Sequence, residues 1–385
     1  MARRVVGVAA ALYAVRMLGL FLLLPVLAPY AEGVAGGTLF LAGVAVGAYG
    51  LTQALLQIPF GILSDRFGRV PLILTGLALF AGGSVVAALS TGIHGLIAGR
   101  TLQGAGAISA VLTALVADHT PTDARTRAMA IIGVTIGGCF MFSLIAGPTL
   151  TARIGVAGVF WLTAVLACAG AALLLGLPAA ARAPRRRNDL AAGGFRSALQ
   201  AESLLMLDAG IFLLHLMLAA TFTAVPFVLR DEFGLPAGAQ WQVYLGVLTG
   251  SLVGTAGLIL LTERGVRGVL PAAVAVGGAA QLLLAPGSFW LAMGALTLFF
   301  AAFNYLEARL PALLSQVAPS SSRGTALGVY ASGQYLGIFA GGVLGGLVLE
   351  RSGPAAVFLM SATAAFAWLM LLLVAATRGS AQSQL

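Results

Sequence analysis

The chain has 385 residues, 60% hydrophobic and 9% charged, with a mean hydropathy of +1.01 and a formal net charge of +9. Soluble globular domains carry about 25% charged residues, so this composition excludes a soluble protein and points to a chain built for a bilayer. The apolar runs are long and continuous, without the alternation of a transmembrane β-barrel. That leaves helices, the other structure that satisfies its own backbone in lipid.

Runs of about 20 apolar residues span a bilayer core. Twelve are predicted, at about 5–29, 38–62, 71–90, 95–117, 128–150, 156–177, 204–229, 240–262, 269–285, 289–317, 325–349 and 355–376. The first is too long, and too closely followed by others, to be a cleaved signal peptide. All 21 basic residues are arginine. With the N-terminus inside, fifteen fall on the cytoplasmic side: Arg3, Arg4, Arg66, Arg69, Arg125, Arg127, Arg182, Arg185, Arg186, Arg187, Arg196, Arg264, Arg267, Arg323 and Arg378. Arg153, Arg230 and Arg351 fall outside, and Arg16, Arg100 and Arg309 lie within spans. This is the positive-inside asymmetry. It places both termini in the cytoplasm, makes the protein integral to the cytoplasmic (inner) membrane, and accounts for the net charge without nucleic acid. The Arg185–Arg187 triplet also suits anionic lipid. Cys139 and Cys168 lie inside apolar spans and match neither a disulfide framework nor a metal site.

The longest connection divides the spans six and six. The expected organisation is an N-terminal six-helix bundle (1–180), a cytoplasmic linker (181–203) and a C-terminal six-helix bundle (204–385). The two halves repeat at an offset of 198 residues. Ser64-Asp65-Arg66 and Arg69 align with Thr262-Glu263-Arg264 and Arg267. Leu112, Ala114, Leu115, Pro121, Arg125 and Ala128 meet Leu310, Ala312, Leu313, Pro319, Arg323 and Ala326. Gly147, Arg153, Gly155, Val159 and Phe160 meet Gly345, Arg351, Gly353, Val357 and Phe358. Two parallel six-helix repeats with substrate between them near the midplane is the plan of a rocking transporter.

With these motifs the chain resembles the major facilitator superfamily over essentially its full length. Gly61, Asp65, Arg66, Gly68 and Arg69 match that family's signature between the second and third spans, with Val70 replacing a final basic residue. Arg100-Thr-Leu-Gln103-Gly104-Ala-Gly106 is similar to its fourth-span signature, and Gly147-Pro148 to part of its fifth-span antiporter signature, where Thr151-Ala152 replace a usual Gly-Gly pair. Arg16-Met-Leu-Gly, Tyr49-Gly-Leu-Thr-Gln-Ala, the run Gln57 to Asp65, and Phe303-Asn-Tyr-Leu-Glu307 resemble the YajR-type drug:proton antiporter branch. That type carries a small soluble C-terminal domain, which is not expected here. The resemblance implies an all-α fold of two pseudo-symmetric six-helix bundles. It also implies a cytoplasmic gate in which Asp65 faces the start of the eleventh span near Gly324 and Arg69 pairs with Asp118. Arg100 is implied to position a protonatable group, and Arg16 to face a central cavity.

The residues themselves point to two further features. A charge at the centre of a span costs about 2.5–3.5 kcal/mol on insertion scales, so each one kept there is a functional candidate. His215 and Glu307 are each about ten residues into their spans, roughly 15 Å deep at 1.5 Å per residue, and an imidazole titrates near neutral pH. They are candidate proton-coupling residues, with a structural polar pair as the alternative. Asp208 reads as a residue near a helix end. Tyr49, Gln53 and Gln57 form a polar stripe at i, i+4 and i+8, and Tyr330 and Gln334 form another. These stripes read as cavity-lining or as helix–helix hydrogen-bonding positions; Arg16, Gln103 and Asn304 complete the candidate cavity residues, the alternative for Arg16 and Arg100 being a guanidinium satisfied by backbone carbonyls and buried water.

The leading expectation is a monomeric secondary transporter exporting small amphipathic compounds in exchange for protons. A proton-coupled importer or facilitator is the nearest rival; Arg16 and Arg100 would suit an anionic solute there. A non-transporting sensor is a more remote one. No catalytic residue, metal or cofactor is expected, only a proton gradient as energy source. His94, His119 and His215 form no zinc motif, and no Walker sequence is present.

Overall fold

The computed structural model describes residues 2–177, 202–284, 287–318 and 323–378. Most of the linker, with Arg185–Arg187, lies outside them. The described chain is helical throughout, with one isolated bridge between Ala35 and Gly92. It forms two units divided within the linker, except that Ala237–Trp241 belongs with the first.

The first unit contains α1 (Ala2–Phe21), α2 (Leu27–Gly33), α3 (Leu39–Phe67), α4 (Arg69–Leu89), α5 (Ile93–Ala105), α6 (Ser109–His119) and α7 (Thr122–Leu175). The second contains α8 (Glu202–Phe227), α9 (Gln240–Glu263), α10 (Val269–Leu283), α11 (Phe289–Val317) and α12 (Arg323–Arg378). Nine of the described helical runs are long and apolar enough to cross a membrane, and Val269–Leu283 is a shorter apolar helix. α7 has 54 residues and α12 has 56. Each would be about 80 Å long if straight, far more than a bilayer core of about 30 Å. Both instead turn at a glycine: Gly155 (φ 72°, ψ 168°) and Gly353 (φ 78°, ψ 179°). That region is essentially open to glycine alone. Read as two crossings each, α7 and α12 leave room for the twelve expected spans.

Burial is inverted relative to a soluble protein. Large apolar side chains such as Trp290, Val134 and Val253 are more than 70% exposed, while Arg16, Gln53, Arg100 and Gln103 are at most 2% exposed. Lipid is as apolar as leucine, so the outside needs no polar cover. Polar groups turn inward, where only protein can satisfy them.

Two spans expected to be continuous are interrupted. The first breaks over Leu22–Val26, where Pro25 supplies no amide hydrogen. The fourth breaks into α5 and α6 across Gly106-Ala-Ile108. Close packing accompanies that break. A Cβ on Gly104 would lie 2.1 Å from the Tyr49 carbonyl oxygen, and one on Gly106 2.3 Å from that of Gly76.

Candidate functional site

Only Gly68 separates α3 from α4. Its φ of 95° favours glycine, and its amide donates to the Ser64 carbonyl at 3.0 Å. This corner puts Arg69 at the first position of α4. Its guanidinium reaches Asp65 Oδ1 at 2.6 Å, donates from Nε to Asp118 Oδ2 at 3.0 Å, and donates to Ser64 Oγ. The side chains of Arg69 and Asp118 are 15% exposed and that of Asp65 is 31%. A partly exposed ion pair contributes little by itself, but the planar fork of arginine can hold several acceptors at once. Arg69 thereby ties together the ends of α3, α4 and α6. Arg66 is exposed against the Phe67 ring, and among the described residues Gly61 has only Ala110 at 4.0 Å from where a Cβ would stand.

Deeper in the same unit lies a cationic network. Arg16 donates from Nη1 to Ser109 Oγ at 2.7 Å, and from Nη2 to Tyr49 Oη at 2.7 Å and to Gln53 Oε1. Gln53 passes the chain on to Gln57 Oε1 at 2.8 Å. The i, i+4, i+8 stripe of α3 therefore forms a hydrogen-bonded ladder ending on a guanidinium. Arg100 lies over the Tyr49 ring, 5.1 Å from its centroid, donates from Nη1 to Gln103 Oε1 at 2.9 Å, and makes a long contact with the Ala45 carbonyl at 3.4 Å. Gln103 in turn donates to Ser84 Oγ at 2.8 Å, and Thr163 reaches the same hydroxyl at 3.1 Å. Both ends of Gln103 are thus engaged, and it links α5, α4 and α7.

The second unit places an acid where the first has Ser109, since 109 and 307 differ by the repeat offset. His215 Nδ1 stands 3.1 Å from the Ile211 carbonyl, which can only accept, so Nδ1 carries the hydrogen. In the neutral ring Nε2 is then an acceptor, and Gln334 Nε2 donates to it at 2.9 Å. The same amide group donates to Glu307 Oε1 at 3.2 Å. His215 and Glu307 are 3.6 Å apart, too far for a direct hydrogen bond. Gln334 therefore spans the two titratable groups in the uncharged-histidine state. A proton added at Nε2 would set two donors face to face. The Gln334 amide must then turn, leaving the imidazolium to Glu307.

Around this group, Glu307 Oε2, Tyr330 Oη and Asp208 Oδ1 are buried without a hydrogen-bond partner among the described residues. Asp208 is the seventh residue of α8 and half-buried. Asn304 makes a long contact with Ser251 Oγ at 3.4 Å. Sequence reasoning missed Ser109, Ser84 and Thr163, because isolated hydroxyl residues in apolar spans carry no charge cost to flag them. For Ser109 the repeat offset from Glu307 was an available signal.

Gly147 sits where α7 packs against the break after α1, its missing Cβ position 2.3 Å from the Leu22 carbonyl oxygen. The equivalent Gly345 meets Ala220 at 3.0 Å, and Leu22 and Ala220 again differ by 198 residues. Pro148 follows within α7, where the Thr151 hydroxyl donates to the Gly147 carbonyl at 2.9 Å.

Residues 9–263 match the family model described as Major Facilitator Superfamily. The chain is 42% identical over 363 residues to the inner membrane transport protein YajR of Escherichia coli, covering 93% of this chain and 80% of that one. It is 30% identical over 337 residues to an uncharacterized transporter of Buchnera aphidicola, covering 86% of each. Among solved structures, the human organic anion transporter MFSD10 superposes with a TM-score of 0.70 at 22% identity, over 96% of this chain and 99% of that one. An inward-facing, occupied bacterial homologue of the human lysosomal transporter Spinster gives 0.72 at 15%, over 97% and 95%. At these identities the two structures speak to fold alone. Family model, relatives and fold agree: the chain is a membrane transporter of the Major Facilitator Superfamily, similar to YajR, and not an enzyme.

Proposed function

We propose that this transporter is a proton-coupled antiporter of the inner membrane that exports small amphipathic compounds by alternating access. The observation that supports it is the His215–Gln334–Glu307 group, in which one amide donates to both a neutral imidazole and a carboxylate. Such a group holds a proton in either of two arrangements, and a ligand or proton that prefers one conformational state shifts the balance between states. No cofactor is needed; the proton gradient supplies the energy, with the protein acting as a monomer.

In this reading the Asp65–Arg69–Asp118 cluster is the cytoplasmic latch, with Gly61, Arg66 and Gly68 shaping its corner, and both termini are cytoplasmic. Arg16, Tyr49, Gln53, Gln57, Gln103, Asn304, Tyr330 and Gln334 line or support the substrate path. Arg100 sets the electrostatics of the first unit, and Gly147-Pro148 the packing of α7. The Arg185–Arg187 triplet, outside the described residues, meets anionic lipid.

The test is flux in proteoliposomes with an imposed pH gradient. Wild type should move an amphipathic substrate against its gradient, Glu307→Gln should not, and Asp65→Asn should fold and insert yet transport slowly. Gradient-independent movement in wild type, or full coupling in Glu307→Gln, would overturn the reading.

A further inference from the structure

We infer that the first unit contains an anion site at Arg16 that takes a carboxylate, or a similar singly charged oxyanion, on the transported compound. This names the substrate class of the proposed transporter and so rests on that reading. The starting observation is a charge imbalance. Arg16 is fully buried and Arg100 is 2% exposed, and neither has an acidic partner among the described residues. The acceptors they meet are neutral: a serine hydroxyl, a tyrosine hydroxyl, two glutamine carbonyls and a backbone carbonyl. Tyr49 stands between the two cations, its hydroxyl on one and its ring face against the other. Two like charges are therefore held in one low-dielectric interior with no counter-charge among the described residues. Desolvating an ion costs several kcal/mol even after relaxation, and neutral dipoles offset only part of that.

The second observation is an unspent donor. Arg16 Nε is buried and has no hydrogen-bond partner among the described residues. A guanidinium offers five N–H donors in a planar fork that matches a carboxylate, and three of those donors are already directed to Ser109, Tyr49 and Gln53. Both Nη2 hydrogens are spent, so the free Nε–H and the second Nη1–H lie on different edges, and it is the unpartnered Nε–H that could hold one oxygen of an oxyanion.

The third observation is the backbone beside it. The fourth span is interrupted at Gly106-Ala-Ile108, and Ser109, the residue that Arg16 holds, is the first residue of the 11-residue helix α6. Interrupted membrane helices direct their half-helix N-termini at anionic substrate groups in other transporters, and the unpaired amides there favour negative charge. In the second unit the same stretch is unbroken within α11, and Glu307 replaces Ser109. The unit with a broken helix lacks the acid, and the unit with the acid keeps its helix.

Thermal stabilisation of the purified full-length protein by 4-phenylbutyrate, with 4-phenylbutyramide as its neutral isostere and sodium chloride and sodium sulfate as inorganic anions, tests this directly. The carboxylate should stabilise saturably and the amide should not. Arg16→Gln should weaken the carboxylate's apparent affinity about tenfold or more, the loss of one charge-assisted pair. Arg16→Lys should keep the preference for carboxylate over amide at lower affinity. If Arg16→Gln does not fold, Ser109→Glu decides the matter: an internal carboxylate beside Arg16 should abolish stabilisation by 4-phenylbutyrate. Equal stabilisation by acid and amide, equal stabilisation by chloride or sulfate, or an unchanged response in either Arg16→Gln or Ser109→Glu overturns the site. Flux separates this from the function it rests on. Carboxylate binding without pH-driven transport leaves the site standing and removes the antiporter reading, and pH-driven transport of neutral and acidic compounds alike does the reverse.

Discussion

The two units share a frame and differ in what they hold inside it. Gly155 and Gly353 turn their long helices with nearly the same φ and ψ, and Gly147 and Gly345 press on Leu22 and Ala220 at equivalent places. Within that frame the first unit carries two buried arginines, a polar ladder on α3 and a broken fourth span. The second replaces Tyr49, Gln53 and Gln57 by Val247, Ser251 and Thr255, keeps α11 continuous, and places Glu307 beside His215. Corners persist because a positive-φ turn admits little besides glycine. Interior side chains diverge because they need only be satisfied locally, and many combinations of donor and acceptor do that.

The difference can be broken by making the second unit resemble the first. Glu307→Ser removes its acid, and pH-driven flux in proteoliposomes should fall to background. Stabilisation by 4-phenylbutyrate should stay within about twofold, as expected for a site with no shared partner. A parallel loss of both would mean that one interior cluster, not two, governs the protein.

The helix break offers a stability test. Gly104→Ala forces a Cβ to within 2.1 Å of the Tyr49 carbonyl oxygen, and overpacking of this kind costs about 1–3 kcal/mol. The reverse change at the equivalent site, Ala302→Gly, should cost only the helix propensity, about 1 kcal/mol. Unfolding of the purified variants gives the comparison, and equal costs would show that close packing does not set the break. At the shared corners the expectation is symmetry. Gly155→Ala and Gly353→Ala should each cost about 1–3 kcal/mol, and unequal losses would separate the two frames. The smallest effect belongs to Gln334→Leu, which removes the donor to His215 and Glu307. It should cost about 1 kcal/mol and alter the pH profile of transport, a readout that a purely structural amide would leave unmoved.

Some of the candidate site is legible in residue types alone. His215, Glu307, Arg16 and Arg100 stand out because a charge inside a span is costly, and Gly68 because a glycine lies between two charged positions. Their partners are less visible. Ser109 and Gln334 matter through the atoms they face, and an uncharged residue in an apolar run raises no alarm. Asp208 lies near the start of a span and so reads as a helix-end residue, but its burial depends on how α8 packs inside the unit. The break in the fourth span is hidden for a similar reason. Gly104 and Gly106 also suit a continuous, closely packed helix, and nothing local distinguishes the two.

By itself the sequence determined the membrane class, the apolar spans and a repeat of 198 residues, because hydropathy and periodicity are summed over many residues and survive local exceptions. Only the tertiary structure decided which polar groups meet. It put two cations around one tyrosine without an acid among the described residues, and one glutamine across a histidine and a glutamate. Those pairings hang on helix rotation and on approaches of a few ångström between distant segments, which side-chain chemistry and spacing along the chain do not fix.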